Sequence, residues 1–261
     1  MARVEKYYEL QRGEALVGLY EPGTRIASVY DWLGDVSVLG MNIEKNVIEN
    51  FASYEADRGK NFSIETMTNI NGTLTTKTIS MENLARAFGQ GSLSEVTQAA
   101  ATGRSENFTV RKPGDRIQLG VSQAVPMGVR GVNNVVLTRS VGGALTEGVD
   151  YEVDAENGMV VLNEEGSVLA GDVITATYDV AASTFERIIS RTASVRCAFK
   201  FISKNLTGQQ KVYFAPCVVL RPTGDITMIT EDNLAELQFT ISFEKLPGLE
   251  LMYVDGKPFT I

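Results

Sequence analysis

The chain holds 261 residues, 24 of them basic and 32 acidic, with a formal charge of −8 and no histidine. Apolar residues make up 44% and charged residues 21%, the composition of a folded globular protein and not of a disordered one. Without histidine, Ser-His-Asp and Cys-His catalysis are excluded, and the commonest protein ligand of zinc is missing.

No stretch approaches the ~20 apolar residues of a membrane-spanning helix. The start, Met1-Ala2-Arg3-Val4-Glu5-Lys6, lacks the apolar core of a signal peptide. The expectation is a soluble protein folded in a cytoplasm. Cys197 and Cys217 lie in apolar, strand-like runs and are expected as buried, reduced thiols. The sequons at Asn61, Asn71, Asn107 and Asn205 carry no information in such a setting.

Nearly every element reads as a strand. Residues 16–20, 36–43, 62–67 and 74–79 are rich in β-branched and aromatic side chains between Gly, Asn and Asp breaks. Asn71-Gly72 suits a tight turn with positive φ, which predicts a hairpin over 61–79. Next comes the one helical pattern. Ser80 is its cap, Met81, Leu84, Ala85 and Phe88 form a single apolar stripe, and Gly89 stops it. So short a helix must lie against a sheet.

The middle of the chain changes character. Residues 104–146 carry six basic and two acidic groups, whereas residues 147–179 carry nine acidic and none basic. Turn signals at Pro113-Gly114-Asp115, Gly142-Gly143, Asn157-Gly158 and Gly171-Asp172 separate strands at 134–140, 149–154, 159–163 and 173–178. This predicts an inserted small antiparallel β lobe at 105–181, within a domain built from 1–104 and 182–261. Strands resume at 193–202, 211–220, 225–230 and 235–244. In the last, Leu237, Phe239, Ile241 and Phe243 alternate with polar residues.

The motifs carry little chemistry. Asp150, Glu152, Asp154 and Glu156 share one face of a strand and read as a solvated edge, since Ala155 replaces the glycine a calcium loop requires. Ser242-Phe-Glu-Lys245 places serine and lysine on opposite faces of a strand, unsuited to acyl transfer. No phosphate-cradling glycine loop is present, and the net acidity argues against avid nucleic-acid binding. No enzyme activity, catalytic residue, metal or cofactor is expected.

The last third resembles a known family. Phe199-Lys-Phe-Ile-Ser-Lys-Asn205-Leu-Thr-Gly208, the strand of Val212 to Leu220 ending in Arg221-Pro222-Thr-Gly224, and the final strand from Leu237 to Lys245 are similar to the tail tube (major tail) proteins of long-tailed bacteriophages. Residues 145–162 and 171–178 resemble a β module common in phage structural proteins. The resemblance covers roughly 30–245. It implies a mostly β fold: a β-sandwich of the tail-tube type with one short flanking α-helix, plus the inserted lobe on the outside of a tube. It also implies a structural virion protein. Hexameric rings would stack around a tape-measure protein, with tail terminator and baseplate proteins at the ends and double-stranded DNA in transit. No membrane is involved.

In that family long loops and terminal arms bridge rings. The region from Tyr54 to Ile79, with a hairpin tip at Asn69, Asn71, Gly72 and Thr73, is the ring-stacking candidate, together with the N-terminal arm. Glu44, Glu49 and Glu65 are candidates for an acidic lumen that repels phosphate. Other readings stay open: a head decoration or baseplate protein forming discrete complexes, or, with less support, a carbohydrate-binding module or a two-carboxylate hydrolase.

Overall fold

The computed structural model describes residues 9–54, 58–89, 93–191, 194–206 and 208–256. The protein is mostly β, with several antiparallel sheets and, among the described residues, one short helix. In chain order the first elements are β1 (Gly13–Leu19), β2 (Asp31–Trp32), β3 (Val36–Phe51), β4 (Lys60–Thr76), α1 (Met81–Ala87), β5 (Ser94–Gln98), β6 (Ala101–Thr109) and β7 (Arg116–Gln118). There follow β8 (Val132–Arg139), β9 (Gly143–Ala144), β10 (Tyr151–Asp154), β11 (Met159–Leu162), β12 (Val173–Val180) and β13 (Ser183–Arg187). The chain ends with β14 (Val195–Ser203), β15 (Lys211–Pro222), β16 (Leu237–Phe243) and β17 (Tyr253–Gly256). Contacts divide it into two units, residues 1–94 with 188–261, and residues 95–187.

The first unit is one continuous sheet in the order β2-β1-β14-β15-β16-β4-β3, with β17 beside the first half of β15. Ala15 and Val17 near one end join Leu74, Phe199, Val218, Leu237, Phe239 and Ile241 in one buried cluster. Val36 and Leu39 from the other end pack on the same cluster, so the sheet folds back over its own apolar face. The alternation of β16 is realised: Leu237, Phe239, Ile241 and Phe243 are buried and Gln238 is exposed. Residues 225–230, expected as a strand, instead belong to an irregular β15–β16 connection.

Helix α1 forms where the sequence places it. The Ser80 side chain accepts the Asn83 N–H at 3.2 Å, satisfying one of the orphan donors of the first turn. Arg86, almost fully buried, donates to Asp31 and, at 2.9 Å, to the side-chain Oδ1 of Asn83. Asn83 in turn donates to the Leu33 and Thr78 carbonyls at 3.1 and 3.0 Å. This polar chain ties the helix to the ends of β2 and β4.

The hairpin expected over 61–79 is not there. Residues 60–76 form the single strand β4, paired with β3 on one side and with β16 on the other. Asn71 and Gly72 lie mid-strand, opposite Asn42 and Met41 of β3 and Ser242 and Ile241 of β16. The glycine serves a different need: a Cβ there would lie 2.7 Å from the Gly40 carbonyl oxygen. The β3 backbone approaches too closely at this point for a side chain to fit without a shift. Gly72→Val is therefore expected to lower the melting temperature of the first unit by roughly 5–10 °C in a circular-dichroism melt.

The second unit has its own core. A four-stranded sheet, β6-β12-β8-β9, faces a three-stranded sheet, β10-β11-β7, across Leu137, Tyr151, Val160, Leu162, Ile174, Ala176 and Tyr178. Its limits correct the expected 105–181. A cut at 105 would split β6, which pairs with β12 along its length. The flanking strands β5 and β13 pair with each other. The shift in charge composition begins inside the lobe and does not mark its edge.

Aspartates organise the turns of this lobe. Asp150 is no solvated edge residue: it is buried and accepts the N–H groups of Thr146 and Ser167, both at 2.9 Å, and the Ser167 hydroxyl at 2.8 Å. Asp115 accepts the Arg111 N–H at 2.8 Å. The Asn157-Gly158 turn is present, with Gly158 at φ +66° and its Cβ position only 1.9 Å from the Val129 carbonyl oxygen. The Asp150 carboxyl is held below its usual range first by the Thr146 N–H, and that of Asp115 by the Arg111 N–H. A depressed folded pKa means that the unfolded chain takes up protons first as pH falls. The stabilisation is complete above the unfolded value of about 3.9 and is lost as pH drops through the folded value. Melts of the lobe are expected to be flat from about pH 7 to 5 and to fall below about pH 4, less steeply in Asp150→Asn.

Candidate assembly surface

Strands β3 and β4 are paired from Val36 and Thr76 out to Phe51 and Lys60. Only their inner part has further support, because β16 pairs with β4 from Thr76 to Asn71 and no farther. Beyond Ile43 and Ile70 the two strands continue as an arm with, among the described residues, no third strand beside them. Among the described arm residues beyond that pair, 44–54 and 58–69, only Ala52 is buried.

Alternation fixes two faces, and the shifts in register between Asn46 and Val47 and between Asn50 and Phe51 carry them outward. One face presents Ile43, Val47 and Phe51 together with four charged groups. Lys45 pairs with Glu65 at 2.7 Å, and Lys60 pairs with Glu49. The other face presents Ile48, opposite Ile64, and Phe62, opposite Asn50. Isolated two-stranded hairpins are marginal in water, and half-exposed isoleucine and phenylalanine on both faces make this an exposed apolar surface.

The expected site residues sit in this element, but not as expected. Asn69, Asn71, Gly72 and Thr73 are not a tip; the arm ends between Phe51 and Lys60, a connection whose residues 55–57 lie outside the described set. The Asn-Gly signal is local, and pairing with strands on both sides overrides it. Glu49 and Glu65 lie on one face with lysine partners. Glu44 lies on the other and accepts the Asn42 amide at 2.9 Å. The three acids therefore form no common face. Of the N-terminal arm, residues 1–8 lie outside the described set; Glu9, just after them, pairs with Lys211 at 2.7 Å.

Two exposed segments went unread in the sequence. The β15–β16 connection carries Met228, Ile229 and Leu234, all largely exposed, beside Asp225, Glu231, Asp232 and Glu236, around a hollow of about 970 Å³. The second is an aromatic band. Trp32 and Tyr30 line one hollow, and Tyr30 also lines a second with Phe214 and Tyr253.

Reactive groups offer little. Cys197 and Cys217 are free and buried, and burial pushes the Cys197 thiol up to about 12. Among the described residues no cluster of three acidic or cysteine side chains is placed to hold a metal ion, and no helix is long and apolar enough to cross a membrane.

None of the curated proteins matches this sequence. A family model matches residues 8–245, most of the chain, and the protein therefore belongs to that family, described as protein of unknown function UCP028589.

Proposed function

We propose that this protein is a structural subunit of a phage-type tail tube. Copies close into rings, the hexameric rings that the resemblance implies, and the rings stack into a conduit for DNA. The observation that carries the reading is the β3–β4 arm, a long pair of strands with apolar side chains on both faces that the described residues leave exposed. A contact between an arm and a different surface of another copy is heterologous, and repetition of such a contact gives a ring or a filament.

In this reading the site of action is the virion, and the partners are further copies, a tape-measure protein in the lumen, terminator and baseplate proteins at the ends, and DNA in passage. The first unit supplies the tail-tube sandwich and the lobe of residues 95–187 decorates the outside. Glu44, Glu49 and Glu65 remain lumen candidates only through the net acidity of the chain. Negative-stain electron microscopy of the purified protein over a concentration series tests the reading. Hollow filaments or stacked rings of constant diameter are expected. Monomers or closed trimers at every concentration would instead favour a head decoration protein.

A further inference from the structure

We infer that the hollow beside β2 is a binding site for a neutral saccharide, with Trp32 as the platform on which a sugar ring stacks. It is lined by Tyr30, Asp31, Trp32, Thr78, Glu82 and Arg86 around about 470 Å³. That lies within the ~300–1,000 Å³ usual for small-molecule sites. The inference is independent of the self-assembly reading.

Trp32 is the one tryptophan of the chain, and it is 61% exposed. Its backbone is nonetheless fixed. Trp32 pairs with Leu16 and Asp31 with Val17, while the next residue, Leu33, is buried and donates its N–H to the Ala15 carbonyl at 3.0 Å. A tryptophan ordinarily stabilises a fold by burying its indole and pairing the N–H. Trp32 does neither. Among the described residues no hydrogen bond engages its indole, and no ring or cation lies on it. Tyr30 beside it differs, since Lys200 lies over its ring at 5.7 Å. A rigid strand therefore holds one uncovered aromatic face at the hollow.

The polar groups around that face are of both senses. Arg86, 2% exposed, gives its two terminal nitrogens to Asp31 and Asn83, and its Nε is buried without a partner. The Thr78 hydroxyl accepts the Asp35 N–H at 2.8 Å, and its own hydrogen has no acceptor among the described residues. Asp31, bonded to Arg86 through one oxygen, and the exposed Glu82 supply acceptors.

This mixture selects the ligand by elimination. An anion would face the Asp31 and Glu82 carboxylates. A cation would find Glu82, the one acid that Arg86 leaves uncompensated, but has no lone pair for the Arg86 and Thr78 donors. An apolar ligand would strand every polar group at the cost of its lost hydration. A sugar ring meets all of them. Its C–H face lies on the indole, and its hydroxyls both donate and accept.

Because Trp32 is the sole tryptophan, its emission reports on this site alone. The test is a titration of the full chain, below assembling concentrations, with D-glucose, N-acetyl-D-glucosamine, cellotriose and chitotriose, and with tetramethylammonium and inorganic phosphate as controls. At least one sugar is expected to shift the emission saturably, and neither control to do so. Trp32→Ala, read by calorimetry with the responding sugar, is expected to bind at least tenfold more weakly while keeping the wild-type melting curve. Silence with all four sugars, a response to tetramethylammonium or phosphate alone, or undiminished binding by Trp32→Ala would each overturn the assignment. None of these results depends on whether filaments form, so the tube reading stands or falls separately.

Discussion

Replacing residues 46–67 with a two-residue Asn-Gly turn, closing on the Lys45–Thr68 pair, is expected to leave a folded protein that no longer forms filaments. The deleted segment adds nothing to the buried cluster of the first unit, whose contributions from β3 and β4 end at Leu39 and Ile70. The ion pairs lost with it are exposed ones, worth about 0–1 kcal/mol each. A shorter loop also costs less entropy to close. The melting temperature should therefore move by no more than about 3 °C. Assembly is another matter. Removing most of one partner's contact surface is expected to raise the concentration needed for sedimentation beyond a hundredfold. Filaments formed by the truncated protein at wild-type concentrations would remove the arm from the assembly mechanism.

The second large effect concerns the lobe. Residues 95–187, expressed alone, are expected to fold and melt in one cooperative transition, because the lobe's buried cluster shares no residue with that of the first unit. Its chain ends are already paired through β5 and β13. Leu137 is 1% exposed at the centre of that core. Leu137→Ala removes its side chain from close packing at a cost of about 2–5 kcal/mol. For a domain of this size that lowers the melting temperature by roughly 10–30 °C. In the full chain the same substitution should leave the melting of the first unit unchanged. A fragment that stays unfolded, or a first unit that melts earlier in the variant, would show that the two cores depend on each other. If the lobe decorates a tube, joining Ser94 to Ile188 through a short turn should give filaments of smaller outer diameter.

The readable parts of the fold were those in which one local signal had one outcome. Ser80 before an apolar stripe could only open a helix, and the strict alternation of 237–243 could only bury one face of a strand. The errors came from signals with two outcomes. Asn71-Gly72 reads as a turn, yet a glycine is equally required where the Gly40 carbonyl of β3 crowds a strand. The change of character from Arg104 onward suggested a boundary at 105, but strand pairing sets the boundary, and β6 carries too little periodicity to show it. The arm was half legible. Residues 36–43 and 62–67 were read as strands, whereas their joint extension to Phe51 was not. Alternation names two faces and does not say whether anything covers either. The aromatic band escaped for a related reason: Tyr30, Phe214 and Tyr253 come from three distant segments that only the folded sheet brings together.

The irregularities in the β3–β4 ladder have a consequence for a chain present in many copies. Strand β3 closes the sheet on one side, so its sixteen residues leave a long row of backbone donors and acceptors open to any passing strand. A straight edge of that length would template indiscriminate polymerisation. Three register shifts bend and twist the ladder, the extra residue lying on β3 at Val36/Val38 and on β4 at Asn46/Val47 and Asn50/Phe51. The edge is therefore bent and twisted instead of flat, a poorer template for a stray partner, which helps newly made copies accumulate without fouling one another.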